Sequence, residues 1–304
     1  MTEAVPRRAR SREHRQGAAE RSLRASTTGL EWEGDTVEPS YDEITQRNIG
    51  VYTPEEQARV RSLVVAVAGC GAIGAPAAHF LARLGVGELR LADPEEFEPS
   101  NMNRQFAAYV DTIGMNKAVA VAAELARINP ELITRTFTDG VCESSIGALL
   151  DGADAVVDGV DFWALDAELL LHREARRRGQ WVFTSQGAVE ITTVTCFDPE
   201  QSALEDMVCV DGRPSVVRAI ESFMPVLPKA ATPEALARAI GGELPSVPSD
   251  ALSALDAAFV VDELVRVLVR RLPPHVVAPD LYVFDQDDLW LRFWDARRSA
   301  WRAG

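Results

Sequence analysis

The distribution of apolar and polar residues along the chain predicts alternating strands and helices. The apolar, β-branched run at residues 64–68 is typical of a buried parallel strand. A helical pattern follows it directly, with apolar residues three and four positions apart on one face. Because parallel strands need a crossover between them, this order predicts an α/β fold with a Rossmann-like, doubly wound and mostly parallel sheet.

The same two patterns repeat through most of the chain. Residues 198–249 are an exception, because they are rich in proline and small residues and contain one short helical pattern. We predict further strands at residues 89–92, 133–138, 154–161, 181–185, 192–197 and 281–284. We predict helices at residues 116–128, 144–150, 163–178, 233–240 and 253–271, and one that begins at Thr53-Pro54.

A glycine-rich loop lies between the first strand and its helix. It contains Gly69, Gly71 and Gly74, with Ala72 and Ile73 between the last two glycines. Glycine permits a tight turn and lets an anion approach backbone N–H groups at the positive end of a helix. These five residues are therefore predicted to bind the phosphates of a nucleotide.

Asp93 supplies a second nucleotide-binding feature. It follows the next apolar strand, about 20 residues beyond the loop glycines, where a carboxylate accepts hydrogen bonds from ribose hydroxyls. The loop and Asp93 alone fit an NAD-dependent dehydrogenase as well as an ATP-binding enzyme.

Two cations after Asp93 favour ATP. Arg104 lies within residues 100–105, and Lys117 lies in the predicted first turn of helix 116–128. The helix dipole disfavours a cation there by about 0.3–1 kcal/mol, so an anion is expected beside Lys117. Arg104 and Lys117 together can neutralise a triphosphate and its departing pyrophosphate, for which hydride transfer has no use.

A carboxylate at the end of a later strand predicts a metal site. Asp161 ends strand 154–161, and the carboxyl ends of strands in a doubly wound sheet converge on the ligand crevice. Mg²⁺ prefers carboxylate and phosphate oxygens, so Asp161 is predicted to hold Mg²⁺. Asp158, on the same strand, either supports this metal ligand or caps the helix that follows.

These motifs together resemble the E1-like activating enzymes, which include the ThiF, MoeB and HesA proteins. The family pattern is a GxGxxG loop, an Asp, SNxxRQ, GxxK and a later Asp at a strand end. Here it corresponds to the glycine loop, Asp93, residues 100–105, residues 114–117 and Asp161. The resemblance covers about residues 41–197 in register. It implies antiparallel strands in the C-terminal half and an adenylation domain over residues 41–304, in which residues 198–249 meet the substrate.

The resemblance also implies an activity. The chain would bind ATP and Mg²⁺ and adenylate the C-terminal carboxylate of a ubiquitin-like or sulfur-carrier protein, or of a peptide, with release of pyrophosphate. Asn101 would contact the phosphates, and Arg47 would reach the ATP of the neighbouring subunit, which predicts a homodimer. The predicted catalytic residues are Arg104, Lys117, Asp161 and Arg47.

Three alternatives stay open at this point. A non-catalytic E1-like scaffold subunit would keep the fold, although loss of Arg104 and Lys117 would then be expected. An E1-like dehydratase would act on a modified RNA base. An NAD-dependent dehydrogenase fits the glycine loop but not the cations that follow it.

The cysteines exclude one kind of metal site. Cys70, Cys142, Cys196 and Cys209 form no CxxC pair, so no zinc is predicted, although many members of the resembled family carry two such pairs. No histidine lies beside Cys209 in the sequence to lower its pKa, and we predict no thioester on it.

Charge and composition limit the partners. The net charge of −15 disfavours nucleic acid as a general ligand. Residues 1–30 hold seven Arg against three Glu, and residues 1–40 have little apolar content, which predicts a disordered, Arg-rich N-terminal arm. No run approaches the roughly 20 apolar residues of a membrane span, and the N-terminus lacks the apolar stretch of a secretory signal. No membrane partner is expected, and the predicted location is cytoplasmic.

Overall fold

The computed structural model describes residues 22–26, 29–33, 38–226, 228–229, 232, 234, 237–238 and 250–302. The chain divides into two compact units, Met1–Pro39 and Ser40–Gly304. In the first unit, β1 (Ser22–Ser26) pairs antiparallel with β2 (Gly29–Glu33). This hairpin was not predicted for the N-terminal arm, because the arm has little apolar content and shows no sustained period. The rest of the predicted disordered arm lies outside the described residues, apart from residues 38–40.

The second unit contains a nine-stranded mixed sheet. Its strand order is β13-β12-β11-β8-β7-β6-β3-β4-β5. The five strands from β7 to β5 are parallel, and the pairs from β7 to β13 are antiparallel. The predicted fold class is therefore confirmed. The strands of this sheet are β3 (Val64–Ala68), β4 (Glu88–Ala92), β5 (Ile133–Phe137), β6 (Ala155–Asp158), β7 (Trp181–Ala188), β8 (Ile191–Phe197), β11 (Leu281–Asp285), β12 (Trp290–Asp295) and β13 (Ala300–Trp301).

Helices cover both faces of this sheet, and a small separate sheet joins β9 (Cys209–Val210) to β10 (Arg213–Pro214). The helices of the described residues are α1 (Tyr41–Thr45), α2 (Pro54–Ser62), α3 (Gly74–Leu84), α4 (Lys117–Ile128), α5 (Ile146–Leu150), α6 (Leu165–Arg177), α7 (Glu205–Val208), α8 (Val216–Phe223) and α9 (Asp250–Leu264).

The two faces of β3 show how the core is divided. Val65 and Val67 pack in the cluster that includes residues of α3, α4 and α9, whereas Ala66 and Ala68 pack with residues of α5 and α6. Successive residues of a strand point to opposite faces, so one apolar run supplies both layers. This explains why the strand reads as continuously apolar rather than alternating.

The position of β3 creates the ligand crevice. The chain passes from β3 outward to β4 and β5, and then returns to the other side of β3 with β6. Ala68 pairs with Ala92 on one side and with Asp158 on the other. The residues that follow these three strand ends therefore meet at one edge, which is the switch point of a doubly wound sheet.

Several predicted boundaries differ from the structure. Strand β6 ends at Asp158, three residues before Asp161, because the chain leaves the sheet at Gly159. Helix α9 is α-helical only to Leu264 and continues as a π-helical turn, Val265–Val269. Of the predicted helix 233–240, residues 234, 237 and 238 are helical, and its other residues lie outside the described part.

The C-terminal aromatic residues extend the sheet. Trp290, Trp294 and Trp301 lie on β12 and β13 and pack against a buried cluster that includes Ile191 and Val283. None of the helices within the described residues combines the length and apolar character that crossing a membrane requires.

Candidate functional site

A cleft of about 260 Å³ lies at the carboxyl ends of β3, β4, β6 and β7. It brings together most of the residues that the sequence predicted to bind a nucleotide. The predicted site residues that line this cleft are Gly69, Gly71, Ala72, Ile73, Asp93, Arg104, Lys117 and Asp161.

The glycine loop is shaped by two close backbone approaches. Gly69 has φ 81°, and a Cβ there would lie 2.3 Å from the carbonyl oxygen of Gly159. A Cβ on Gly74 would lie 1.8 Å from the carbonyl oxygen of Gly69. Only glycine fits at these two positions, because any side chain would force the loop away from β6 or from α3.

The loop presents free donors at the start of an 11-residue helix. Gly71, Ala72 and Ile73 donate no backbone hydrogen bond to any other described residue. Ile73 is the N-cap residue of α3 and makes no side-chain capping bond. Unpaired N–H groups and the positive end of the helix dipole together form an anion-binding surface.

Asp93 is buried and fixes the loop to the end of β4. Its Oδ2 accepts a hydrogen bond from the Cys70 N–H at 2.7 Å, and its Oδ1 accepts one from the Glu95 N–H at 2.8 Å. Burial raises the pKa of the Asp93 carboxyl. Each carboxylate oxygen has a further lone pair, so Asp93 can still accept from a ribose hydroxyl.

Lys117 lies in the first turn of α4, as predicted, and its side chain is 6% exposed. Its Nζ is 2.5 Å from Oε2 of Glu95, whose side chain is 69% exposed. Glu95 is thus an anion that offsets the unfavourable position of the Lys117 cation in the helix dipole. The sequence analysis missed this pairing, because Glu95 lies in a loop with no periodic pattern. A phosphate that reaches Lys117 has to share it with Glu95 or displace that side chain.

Arg104 retains unused hydrogen-bonding capacity. Its Nη1 donates to the Ser100 carbonyl oxygen at 3.1 Å and to Oδ1 of Asn103 at 2.9 Å. Its Nε is buried and has no acceptor among the described residues, and Oε1 of the adjacent Gln105 is buried and has no donor among them. Unpaired buried polar atoms carry a penalty that a ligand with complementary groups would relieve.

Asp161 borders the cleft, whereas the predicted site residues Asn101 and Arg47 do not line it. Asp161 lies at the cleft rim, and desolvation by the surrounding protein raises the pKa of its carboxyl. Asn101 is buried, and its Oδ1 accepts from the Glu98 N–H at 3.0 Å, so it caps a short 3-10 turn and does not line the cleft. Arg47 is exposed in the turn after α1 and does not line the cleft of its own chain.

Asp256, on α9, is a cleft residue that the sequence analysis missed. It is fully buried, and its Oδ1 accepts from the Ser185 Oγ–H at 2.8 Å. Its Oδ2 lies 2.2 Å from where a Cβ on Gly187 would stand and has no partner among the described residues. Burial raises the pKa of Asp256 to about 7. The sequence held one signal of this role, since Asp256 is an acidic residue on the apolar face of a predicted helix.

The cysteine thiols differ in reactivity. Burial raises the pKa values of Cys70 and Cys196 well above the usual value, and also raises that of Cys209. Hydrogen bonds from Ser144 and Ser145 lower the pKa of Cys142 to about 7. A raised pKa makes Cys209 a poor nucleophile at neutral pH, which supports the prediction against a thioester there.

The chain is similar in sequence to several known proteins. The chain is 39% identical over 108 residues to the SAMP-activating enzyme E1 of Haloferax volcanii, covering 36% of this chain and 40% of that enzyme. It is 33% identical over 178 residues to the tRNA threonylcarbamoyladenosine dehydratase of Haemophilus influenzae, covering 57% of this chain and 66% of the relative.

A solved structure shares the fold. The E. coli MccB bound to AMPCPP and MccA has a TM-score of 0.63 to this chain at 17% identity, covering 84% of this chain and 73% of MccB. The match to the ThiF family extends over residues 45–296, which is most of the chain. The chain therefore belongs to the ThiF family of the E1-like superfamily.

Proposed function

We propose that the chain uses ATP to adenylate the C-terminal carboxylate of a small protein or peptide and releases pyrophosphate. The observation that carries this proposal is the cleft itself. It gathers the free N–H groups of the glycine loop, Asp93, Arg104, Lys117 and Asp161 at one edge of the sheet. Adenylation needs a nucleoside contact, hydrogen-bond donors for the phosphates, cations and a carboxylate for a metal ion, and residues that could serve each purpose line this cleft.

The residues fit ATP and Mg²⁺ by their chemistry. Gly69 and Gly71 of the loop line the cleft, and the buried Nε of Arg104 lacks an acceptor among the described residues. Asp161 offers hard oxygen donors at the rim, where Mg²⁺ would neutralise phosphate charge when bound. Arg104 and Lys117 would stabilise the charge that develops on the departing pyrophosphate.

The order of strands suggests where the acceptor enters. Asp93 follows β4 on one side of β3, whereas Gly187 and Asp256 lie at the β7 end on the other side. With the ribose at Asp93, the acceptor would approach from the β7 end. Asp256 has a pKa of about 7 and is neutral in a large fraction of molecules at neutral pH. A neutral carboxyl would not repel an incoming carboxylate.

The relatives favour a protein or peptide as acceptor. One is a SAMP-activating enzyme, and MccB was solved together with MccA. The chain spans only 40% of the first enzyme, so its substrate does not transfer directly. A groove of about 630 Å³ lies between α8 and the C-terminal strands, and its size suits an extended polypeptide tail.

The dehydratase relative motivates a second candidate function. The chain aligns with 66% of the Haemophilus influenzae dehydratase, which is the larger coverage of the two relatives described above. An RNA substrate would have to approach a chain with a net charge of −15, which disfavours binding at physiological salt. A non-catalytic scaffold is disfavoured by the retained Arg104 and Lys117.

The proposal is tested by substrate-dependent exchange of labelled pyrophosphate into ATP. Small proteins and peptides encoded beside this gene would be screened, each against a version without its terminal residue. We expect exchange with an intact terminus and none with the truncated form. Exchange that survived truncation would contradict the terminal-carboxylate assignment, and exchange only with transfer RNA would favour the dehydratase. Absence of both exchange and ATP binding would favour the scaffold.

We further propose a homodimer in which Arg47 completes the partner's site. Arg47 is exposed and lies outside the cleft of its own chain. Inactive Arg47→Ala and Lys117→Ala chains would be mixed in equal amounts. Random pairing then restores one intact site in half of the dimers, so about a quarter of the wild-type exchange is expected. No recovery after verified subunit mixing would contradict a role across the dimer.

A further inference from the structure

A buried group of three potential ligands lies behind the cleft. Asp158 ends β6, while Glu168 and His172 lie four residues apart on α6 and therefore share one face of that helix. One ligand atom from each lies within 4.8 Å of the others. Asp158 and Glu168 are fully buried and His172 is 4% exposed.

Glu168 is the residue that lacks an explanation without a ligand. Both of its carboxyl oxygens are buried and have no hydrogen-bond partner among the described residues. Burial, together with the nearby Asp158 and Asp161, raises its pKa well above the usual value. An ionised Glu168 would be a buried unpaired charge, and a protonated one would keep an O–H group without an acceptor.

The other two residues are already oriented toward the same point. His172 Nε2 lies 2.8 Å from Oδ2 of Asp158, while Oδ1 of Asp158 accepts from the Val160 N–H at 3.0 Å. The His172 ring packs nearly perpendicular to the Phe197 ring, with the two ring centres 4.5 Å apart. A separation of 2.8 Å suits two adjacent ligands of one ion as well as it suits a hydrogen bond.

We infer that Asp158, Glu168 and His172 bind a divalent transition-metal ion. Two carboxylates and a divalent ion form a neutral group, which removes the penalty of burying Glu168 as an anion. A histidine nitrogen beside carboxylates favours a transition ion such as Mn²⁺, Co²⁺ or Zn²⁺ over Mg²⁺ or Ca²⁺. This site contains no cysteine and is separate from the nucleotide metal site predicted at Asp161.

The geometry requires only a small adjustment. Two ligands that each lie about 2.1 Å from one ion are at most about 4.2 Å apart, so one side chain must move by a few tenths of an ångström. Ala164, the N-cap residue of α6, and Ala167, in the first turn of that helix, line the cleft, so the start of α6 adjoins it. The bound ion would fix α6 to β6, on either side of the loop that carries Asp161.

Cobalt supplies the test. The full chain without a histidine tag would be treated with a chelator and titrated with Co²⁺ in the absence of nucleotide, with visible absorption recorded. We expect one Co²⁺ per chain with ligand-field bands, and a loss of affinity of at least about 10-fold in Glu168→Gln and in His172→Gln. His275→Gln is the matched control, because His275 pairs with buried Glu263 at 2.7 Å but belongs to no three-ligand group among the described residues.

Thermal unfolding separates metal binding from misfolding. Metal-free Glu168→Gln should melt at or above the metal-free wild type, since glutamine keeps the shape of the side chain and cannot carry a buried charge. Co²⁺ should raise the melting temperature of the wild type and of His275→Gln but not that of Glu168→Gln. Equal Co²⁺ uptake, or an equal shift, in wild type and Glu168→Gln would overturn the inference. The test needs no ATP, so its failure leaves the proposed adenylation unaffected.

Discussion

Two cavities of this chain differ in how they are built. The cleft proposed to bind the nucleotide is small, and its lining includes charged and glycine residues at the ends of parallel strands. The groove beside α8 is more than twice as large, and apolar residues from distant parts of the chain contribute to its lining, among them Met207, Val217, Ile220 and Trp294. We interpret the first as the chemical centre and the second as the acceptor-binding surface.

The difference follows from strand topology. Parallel strands place their carboxyl ends at one edge, so short motifs after β3, β4 and β6 meet without long-range information. By contrast, α8 lies within residues 198–249, and the C-terminal antiparallel strands that it meets begin only at Leu281. Under the proposed function, local motifs would set the chemistry, whereas selection of the acceptor would depend on a segment whose sequence has little periodicity.

The most damaging change should be Gly74→Ala. A Cβ there would lie 1.8 Å from the Gly69 carbonyl oxygen, so α3 and the loop must separate. We expect calorimetry to detect no ATP binding. We expect denaturant unfolding to show a free energy of unfolding about 3 kcal/mol lower than that of the wild type. Gly147→Ala on α5 is the control, because nothing lies within 4 Å of its Cβ position, and it should be neutral or slightly stabilising. Normal ATP binding by Gly74→Ala would refute the role of the loop.

Lys117→Ala should weaken the chemical step while the fold persists. Removing one preorganised cation should lower the rate of pyrophosphate exchange by about 10²–10³-fold. Arg127→Ala provides the comparison, because Arg127 lies on the same helix, is 77% exposed and pairs only with Glu124 among the described residues. If both variants lost exchange equally, the assignment of Lys117 to the phosphates would be wrong.

Asp256→Asn should change the pH dependence of stability. The folded pKa of about 7 lies above the ordinary aspartate value of 3.8, so the native state binds more protons than the unfolded state between these values. Stability from this group is therefore fully present below about pH 4 and declines as pH rises through 7. Between pH 5 and 8 the free energy of unfolding of the wild type should fall by on the order of 2–3 kcal/mol, whereas that of Asp256→Asn should not show this fall. Parallel pH profiles from urea unfolding would contradict the raised pKa.

The smallest expected effect concerns the groove. Val217 is 44% exposed and lines it, so Val217→Glu places a charge on the proposed acceptor surface without disturbing the core. We expect KM for the acceptor to rise about 10-fold, with ATP binding unchanged. Val110→Glu, at an 83% exposed site outside both cavities, should leave both parameters unchanged. A fall in ATP affinity in Val217→Glu would show that the two cavities are not independent.

Much of the parallel half was predictable from the sequence. The strand at residues 64–68 has the predicted bounds, and Asn116 caps the helix that carries Lys117. Asp93 and Arg104 reach the same cleft because Asp93 directly follows β4 and Arg104 lies in the segment after it. Local pattern and strand order were sufficient for these residues.

The remaining features depend on contacts between distant segments. Asp256 meets Ser185 across 71 residues, and no periodic signal links them. The pairing of Glu95 with Lys117 and the capping role of Asn101 arise from loop conformation, which short motifs do not specify. The three-residue group around Glu168 required knowing which face of α6 packs on β6.

Calorimetry of ATP binding with Mg²⁺ present tests the central claim most directly. The wild-type chain should bind one ATP per chain, Arg104→Ala and Lys117→Ala should each bind it more weakly, and NADH should not bind. Wild-type affinity in both variants, no binding of ATP by the wild type, or binding of NADH in its place would contradict the assignment of this cleft to ATP-dependent adenylation.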